Sequence, residues 1–150
     1  GETLERVSRA AAILRAKLPA LLAPPVPTEI PLHHSQWRSL LRSLASLEYY
    51  RKLHGARMEP AVIIAFLVAD PHAPRSLRFG AETVKSYLDR VAGAQAPSPP
   101  GRIIGRLHSR LCYGEPPGPD DGRGLLAFLD EVSTALGEIH DGVAAAYFEA

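Results

Sequence analysis

The sequence predicts an all-α protein, a bundle of about six helices joined by proline-rich connections. Three observations carry the prediction. Apolar residues recur at intervals of three and four over most of the chain, few stretches alternate with the period of two that a half-buried strand needs, and prolines cluster between the periodic segments at 24–27, 97–100 and 116–119. At 150 residues the chain has the length of a single domain, 1–150, able to bury roughly 70% of the surface its unfolded form exposes.

The first helix is predicted over about 2–22, on the seam Leu4, Val7, Ala11, Leu14, Leu18 and Leu21. It stops before Ala23-Pro24-Pro25-Val26-Pro27, and the linker to about Leu32 is expected to be extended. A second helix over about 34–54 carries Trp37, Leu40, Leu41, Leu44 and Leu47, with Gly55 as its stop. A third starts at Pro60 and contains Ala61 to Val68, apolar on every side. Periodicity alone reads this run equally as a buried strand; the flanking Glu59-Pro60 and Asp70-Pro71 favour a short buried helix.

Pro74 opens a fourth helix over about 75–92, with Leu77, Ala81, Val84, Leu88 and Val91 at helical spacing. After the loop at 94–101 a fifth covers about 101–112 on Ile103, Ile104, Leu107 and Leu111. Residues 114–122, rich in proline and glycine, are expected to be the least ordered. The sixth, about 123–148, has the cleanest seam: Leu125, Leu129, Val132, Leu136, Ile139, Val143 and Ala146.

Composition narrows the function. The chain is 46% apolar and 22% charged, and no segment approaches a membrane span or has the form of a signal peptide. Cys112 is the single cysteine and is expected to be a small buried hydrophobe; it excludes an intrachain disulfide and fits a reducing cytoplasm. A net charge of +1 argues against a dedicated nucleic-acid binder. The charge is uneven: up to Arg57 there are nine Lys and Arg against four Asp and Glu, and from Met58 on eight against twelve. Such asymmetry points to parts that pair with each other or with a partner. The six histidines show no metal-ligand spacing, and neither a P-loop nor a GxGxxG pattern occurs, so no metal or cofactor is expected.

Three constellations remain. Glu5 and Arg6 flank the first helical seam. Local pairing of Glu2 with Arg6 and Glu5 with Arg9 is the simpler reading, worth a few tenths of a kcal/mol; the sharper one has Glu5 or Arg6 reach another helix or line a polar site. Arg102, Arg106 and Arg110 form a row that a phosphate could use, although pairing with Glu131 and Glu138 of the last helix is the cheaper explanation, and Arg38 and Arg42 are read in the same way. Asp70-Pro71-His72-Ala73-Pro74-Arg75-Ser76 places Asp, His, Arg and Ser within seven residues. Asp70 can terminate the turn and Arg75 reach back to it; a catalytic role needs a spatial arrangement that spacing does not give. His140-Asp141 is a further polar pair on the last helix.

The order of these segments resembles the alpha-E domain family, bacterial helical proteins named for a Glu-Arg motif. The resemblance rests on Gly1-Glu2-Thr3-Leu4-Glu5-Arg6-Val7, on Gln36-Trp37-Arg38-Ser39-Leu40-Leu41 with Glu48-Tyr49-Tyr50-Arg51, and on Phe66-Leu67-Val68-Ala69-Asp70-Pro71 with Pro74-Arg75-Ser76-Leu77. It continues through Phe128-Leu129-Asp130-Glu131-Val132 and Glu138-Ile139-His140-Asp141-Gly142-Val143 to Ala146-Tyr147-Phe148. Within that family the chain resembles a C-terminal half. The resemblance implies association with circularly permuted ATP-grasp and transglutaminase-like proteins, hence a system that makes or modifies amide bonds. The expected role is that of a non-catalytic helical accessory domain, with an ATP-grasp ligase or the N-terminal half of an alpha-E protein as partner. The alternative is an enzyme of such a pathway with a Glu/Arg site on the first helix, and the residues to watch are Glu5, Arg6, Asp70, Arg75 and His140.

Overall fold

The computed structural model describes residues 1–148. It is built from helices: α1 (Glu2–Leu22), a 3-10 turn at Pro27–Glu29, α2 (Ile30–Ser43), α3 (Leu47–His54), α4 (Pro60–Ala69), α5 (Leu77–Ala92), α6 (Pro99–Tyr113) and α7 (Gly122–Phe148). No strand occurs among the described residues.

The four long helices form a ring in which α1 packs on α7, α7 on α6, α6 on α5, and α5 back on α1. Each neighbouring pair is antiparallel. Arg15 meets Asp130 across α1 and α7, Arg110 meets Glu131 across α6 and α7, and Val7 meets Gly80 across α1 and α5. The ring encloses one continuous core that includes Leu14, Leu18, Leu77, Ile104, Leu125, Leu129 and Ile139, all almost fully buried. Helices α2 to α4 are joined to this ring: α2 contacts α1, and α4 contacts α5 and α6. His33 Nε2 lies 2.8 Å from the Leu21 carbonyl, tying α2 to the end of α1.

The seams on α1 and α7 behave as their periodicity requires, because a stripe at intervals of three and four must face apolar surface to leave water. The Pro60 run is a helix, with Ile63, Ile64, Phe66, Leu67 and Val68 buried and Ala61 and Ala65 exposed. Pro19 lies inside α1, exposed on its outer side, and withholds one helical donor.

Several boundaries differ from the sequence reading. The predicted helix over 34–54 is two helices, because Leu44-Ala45-Ser46 turns the chain. The Ser46 N–H donates to the Leu41 carbonyl, the Ala45 N–H to Arg42, and Ala45 takes φ +52°. This is the left-handed helix terminator that glycine usually fills. Ser43 and Ser46 add side-chain bonds to the Leu40 and Leu44 carbonyls, offering the backbone an alternative to helix. The linker expected to be extended to Leu32 instead enters a 3-10 turn at Pro27, and α2 begins at Ile30 with Pro31 in its first turn, where proline costs no hydrogen bond. Helix α5 starts at Leu77 rather than 75, and Val91, expected on its seam, is 65% exposed. Helix α6 begins two residues early, at Pro99, capped by the Ser98 hydroxyl.

The 114–121 stretch lacks helix and strand, yet Pro116, Pro117 and Pro119 are half-buried, and the Asp121 carboxylate caps α7 by accepting the Gly124 N–H at 3.0 Å. Ala146, assigned to the α7 seam, is exposed, and the side chains of Tyr147 and Phe148 lie outside the described part. Among the described residues no helix is long and apolar enough to cross a membrane.

Candidate functional site

Successive helical residues are turned about 100° from one another, so Glu5 and Arg6 cannot share a flank of α1. With Leu4, Val7 and Ala11 buried in the bundle, Arg6, Arg9 and Ile13 fall on the side facing α5, while Glu5, Ser8 and Ala12 fall on the side facing α7. Neither expected local pair forms: among the described residues no carboxylate lies within 4 Å of the Arg6 or Arg9 guanidinium. An exposed pair returns too little to fix two long side chains.

Arg6 and Arg9 open onto a groove of about 190 Å³ between α1, the end of α2 and the start of α5. Arg75 stands on its other side, and Ile13, Leu44 and Phe79 supply apolar lining. Three local features build it. First, Gly80 lets α1 approach α5, since a Cβ there would sit 2.8 Å from Val7 Cγ2. Second, the left-handed turn at Ala45 ends α2 at the groove, so that Ser43, Leu44 and Ala45 form one wall.

Third, the Asp70 to Ser76 turn presents Arg75. The Asp70 carboxylate accepts the N–H groups of His72 and Ala73, each at 2.8 Å. The Ser76 hydroxyl donates to the Asp70 carbonyl at 2.6 Å and accepts the Phe79 N–H at 3.0 Å, capping α5. Asp70 is therefore committed to the turn, and Arg75 does not reach back to it as the sequence reading allowed. Pro74 precedes the cap rather than opening the helix. Arg78 faces away, its Nη1 3.4 Å from the Ala69 carbonyl at the end of α4.

Among the described residues the groove's lining contains three guanidinium groups and no carboxylate, imidazole or thiol. Of its hydroxyls, those of Ser43, Ser76 and Thr83 donate to main-chain carbonyls of Leu40, Asp70 and Phe79. Among the described residues no carboxylate or imidazole in the lining adjoins these hydroxyls, the arrangement that activates a nucleophile. Gathered cations beside an apolar floor are suited to hold an anion.

Glu5 and His140 lie elsewhere, bordering a shallow depression between α1 and α7. His140 Nδ1 is 3.7 Å from Asp141 Oδ1, too far for a hydrogen bond, and both side chains are largely exposed. The fold thus brings Arg6 and Arg75 together, places Glu5 with His140 on another surface, and uses Asp70 inside a turn. Arg9 and the Ser43–Ala45 wall escaped the sequence reading. The i, i+3 spacing of Arg6 and Arg9 was the available signal, whereas the wall depends on a helix break that the apolar pattern hides.

The basic row on α6 is divided. Arg110 pairs with Glu131 and lies over the Phe128 ring at 5.0 Å, joining α6 to α7 as expected. Among the described residues no carboxylate lies within 4 Å of Arg102, Arg106, Arg38 or Arg42. Asp130 is taken instead by Arg15 at 2.9 Å. Cys112 is only half-buried, with its Sγ 3.3 Å from His108 Nε2. No group of three His, Cys, Asp or Glu side chains among the described residues is placed to hold a metal.

A ring of four antiparallel helices with short helices attached, carrying a basic groove between α1 and α5, defines an all-α bundle. The chain belongs to the alpha-E family, described as a predicted alpha-helical domain with a conserved ER motif, whose model matches residues 1–148. Glu5-Arg6 is the one Glu-Arg dipeptide in the sequence, so the motif's two charges are those that α1 sends to different flanks. No curated protein and no solved structure matches the chain.

Proposed function

We propose that this protein is a non-catalytic accessory domain of an ATP-grasp-type amide-ligase system, binding the ligase or its peptide or amino-acid substrate. The observation that carries the reading is the groove itself. Arg6 and Arg9 of α1 and Arg75 of the turn before α5 line one groove, in which the described residues supply no counter-charge and no general base. Like charges held together in this way repel, and an incoming carboxylate relieves the repulsion while gaining charge-assisted hydrogen bonds. A ligase of this class works on carboxylates and supplies the ATP-dependent step, which leaves recognition as the task for a helical companion.

The test is co-expression with an ATP-grasp ligase of the same organism, followed by co-purification and assay of ATP-dependent amide formation with and without this protein. A complex, or a change in ligase activity, is expected, and Arg6→Ala with Arg75→Ala abolishes it while Glu5→Gln does not. Absence of a complex together with unchanged ligase activity overturns the proposal. Loss on Glu5→Gln alone returns the alternative, an enzyme whose base lies on the α7 side of α1.

A further inference from the structure

The geometry points to a more specific ligand for this groove, the carboxy-terminal residue of a peptide. This rests on the reading that the groove is a binding surface. The α-carboxylate is held by Arg6, Arg9 and Arg75, and the last side chain lies on the apolar floor.

Four observations select that ligand. The first is sign. All three ionisable groups in the lining are guanidiniums, none with a carboxylate partner among the described residues, and α5 begins at the rim with Ser76, so its positive pole adds to theirs. The ligand is an anion. The second is what the lining lacks. A free amino acid brings an ammonium group that needs an acidic partner, and no Asp or Glu lines the groove. An amino group already acylated in a peptide bond needs none.

The third is size. About 190 Å³ is below the roughly 300 Å³ at which pockets for nucleotide- or cofactor-sized molecules begin, so the groove takes one residue and lets the remainder of the chain leave along its open side. The fourth is the floor. Ile13 and Phe79 are half-buried and Leu44 is buried beside the guanidiniums. A bare inorganic anion leaves that apolar surface wet, whereas a terminal leucine- or valine-like side chain covers it. The planar forks of arginine match a carboxylate in two-point contact, which gives the site its direction along the peptide.

The experiment titrates the intact protein, labelled with nitrogen-15, with N-acetyl-Ala-Ala-Leu bearing a free carboxylate. The same peptide as its C-terminal amide, free leucine and inorganic phosphate serve as comparisons. The free-carboxylate peptide is expected to shift the amide signals of Val7, Ala10, Ala45 and Gly80. Amidation is expected to weaken binding by about tenfold or more, as is Arg75→Ala; Arg75 is exposed and makes no side-chain bond among the described residues, so that variant keeps its fold by circular dichroism. Glu5→Gln binds as the parent does.

Equal binding of acid and amide, phosphate binding as tightly as the peptide, tighter binding of free leucine, or no shift with the peptide each overturns the inference. The two readings fail separately. Ligase activation that depends on Arg6 and Arg75 without peptide binding removes only the peptide; peptide binding without any ligase complex or effect removes only the accessory role.

Discussion

Replacing Gly80 by alanine tests the contact on which the groove depends. Gly80 is a buried position in the first turn of α5, and a Cβ built there would sit 2.8 Å from Val7 Cγ2 and 2.9 Å from Val7 Cβ. The Val7 Cβ is fixed to the α1 backbone and cannot swing aside, so α1 and α5 must separate by about half an ångström or more, an overpacking that costs about 1–3 kcal/mol. Alanine also gains about 1 kcal/mol of helix propensity over glycine. Gly105 in α6 supplies the control, since it is helical and a Cβ there meets nothing within 4 Å. Because both substitutions share the propensity gain, the gap between their stabilities isolates the collision. Gly105→Ala should raise Tm by about 2–4 °C, and Gly80→Ala should fall below it by about 1–3 kcal/mol in urea unfolding. Val7→Ala introduced with Gly80→Ala should recover part of the loss, a coupling that a double-mutant cycle reads directly. If Gly80→Ala stabilises as much as Gly105→Ala, the close approach of α1 and α5 is wrong, and the groove they border goes with it.

The remaining predictions concern the turns and one buried hydroxyl. Ala45→Gly should stabilise by about 0.5–1 kcal/mol in denaturant melts, because Ala45 holds φ +52° where glycine carries no Cβ penalty. Ser76→Ala should destabilise by about 2 kcal/mol, removing the α5 cap and the donor to the Asp70 carbonyl at a position only 2% exposed. Tyr50 donates to the Arg57 carbonyl at 3.0 Å; burial and the nearby Glu59 carboxylate hold its hydroxyl above the usual 10.0, partly offset by a main-chain hydrogen bond at Glu59. The raised value favours the neutral form in the folded state, so its stabilisation is complete below about pH 10 and declines as pH rises through the folded value. Tyr50→Phe should cost about 1 kcal/mol at neutral pH and flatten that alkaline decline in melts taken from pH 9 upward.

What the sequence determined by itself was local. Apolar spacing located α1, α4 and α7 closely, because a helix must bury its stripe wherever its neighbours are, and proline fixed the end of α1 and the start of α4 for steric reasons internal to the chain. The break at Ala45 was hidden because Leu44 and Leu47 keep facing the core on both sides of it, so the apolar rhythm continues while the backbone turns.

The site needed the tertiary structure. Glu5 and Arg6 are neighbours in sequence but part company on α1, and only the packing of α5 on one side and α7 on the other decides which surface each one serves. Arg75 joins Arg6 across sixty-nine positions because Gly80 lets two helices close and because Asp70 is spent on the turn that presents it. Spacing along a chain gives the angle at which a side chain leaves its helix; the packing of other helices decides what that side chain meets.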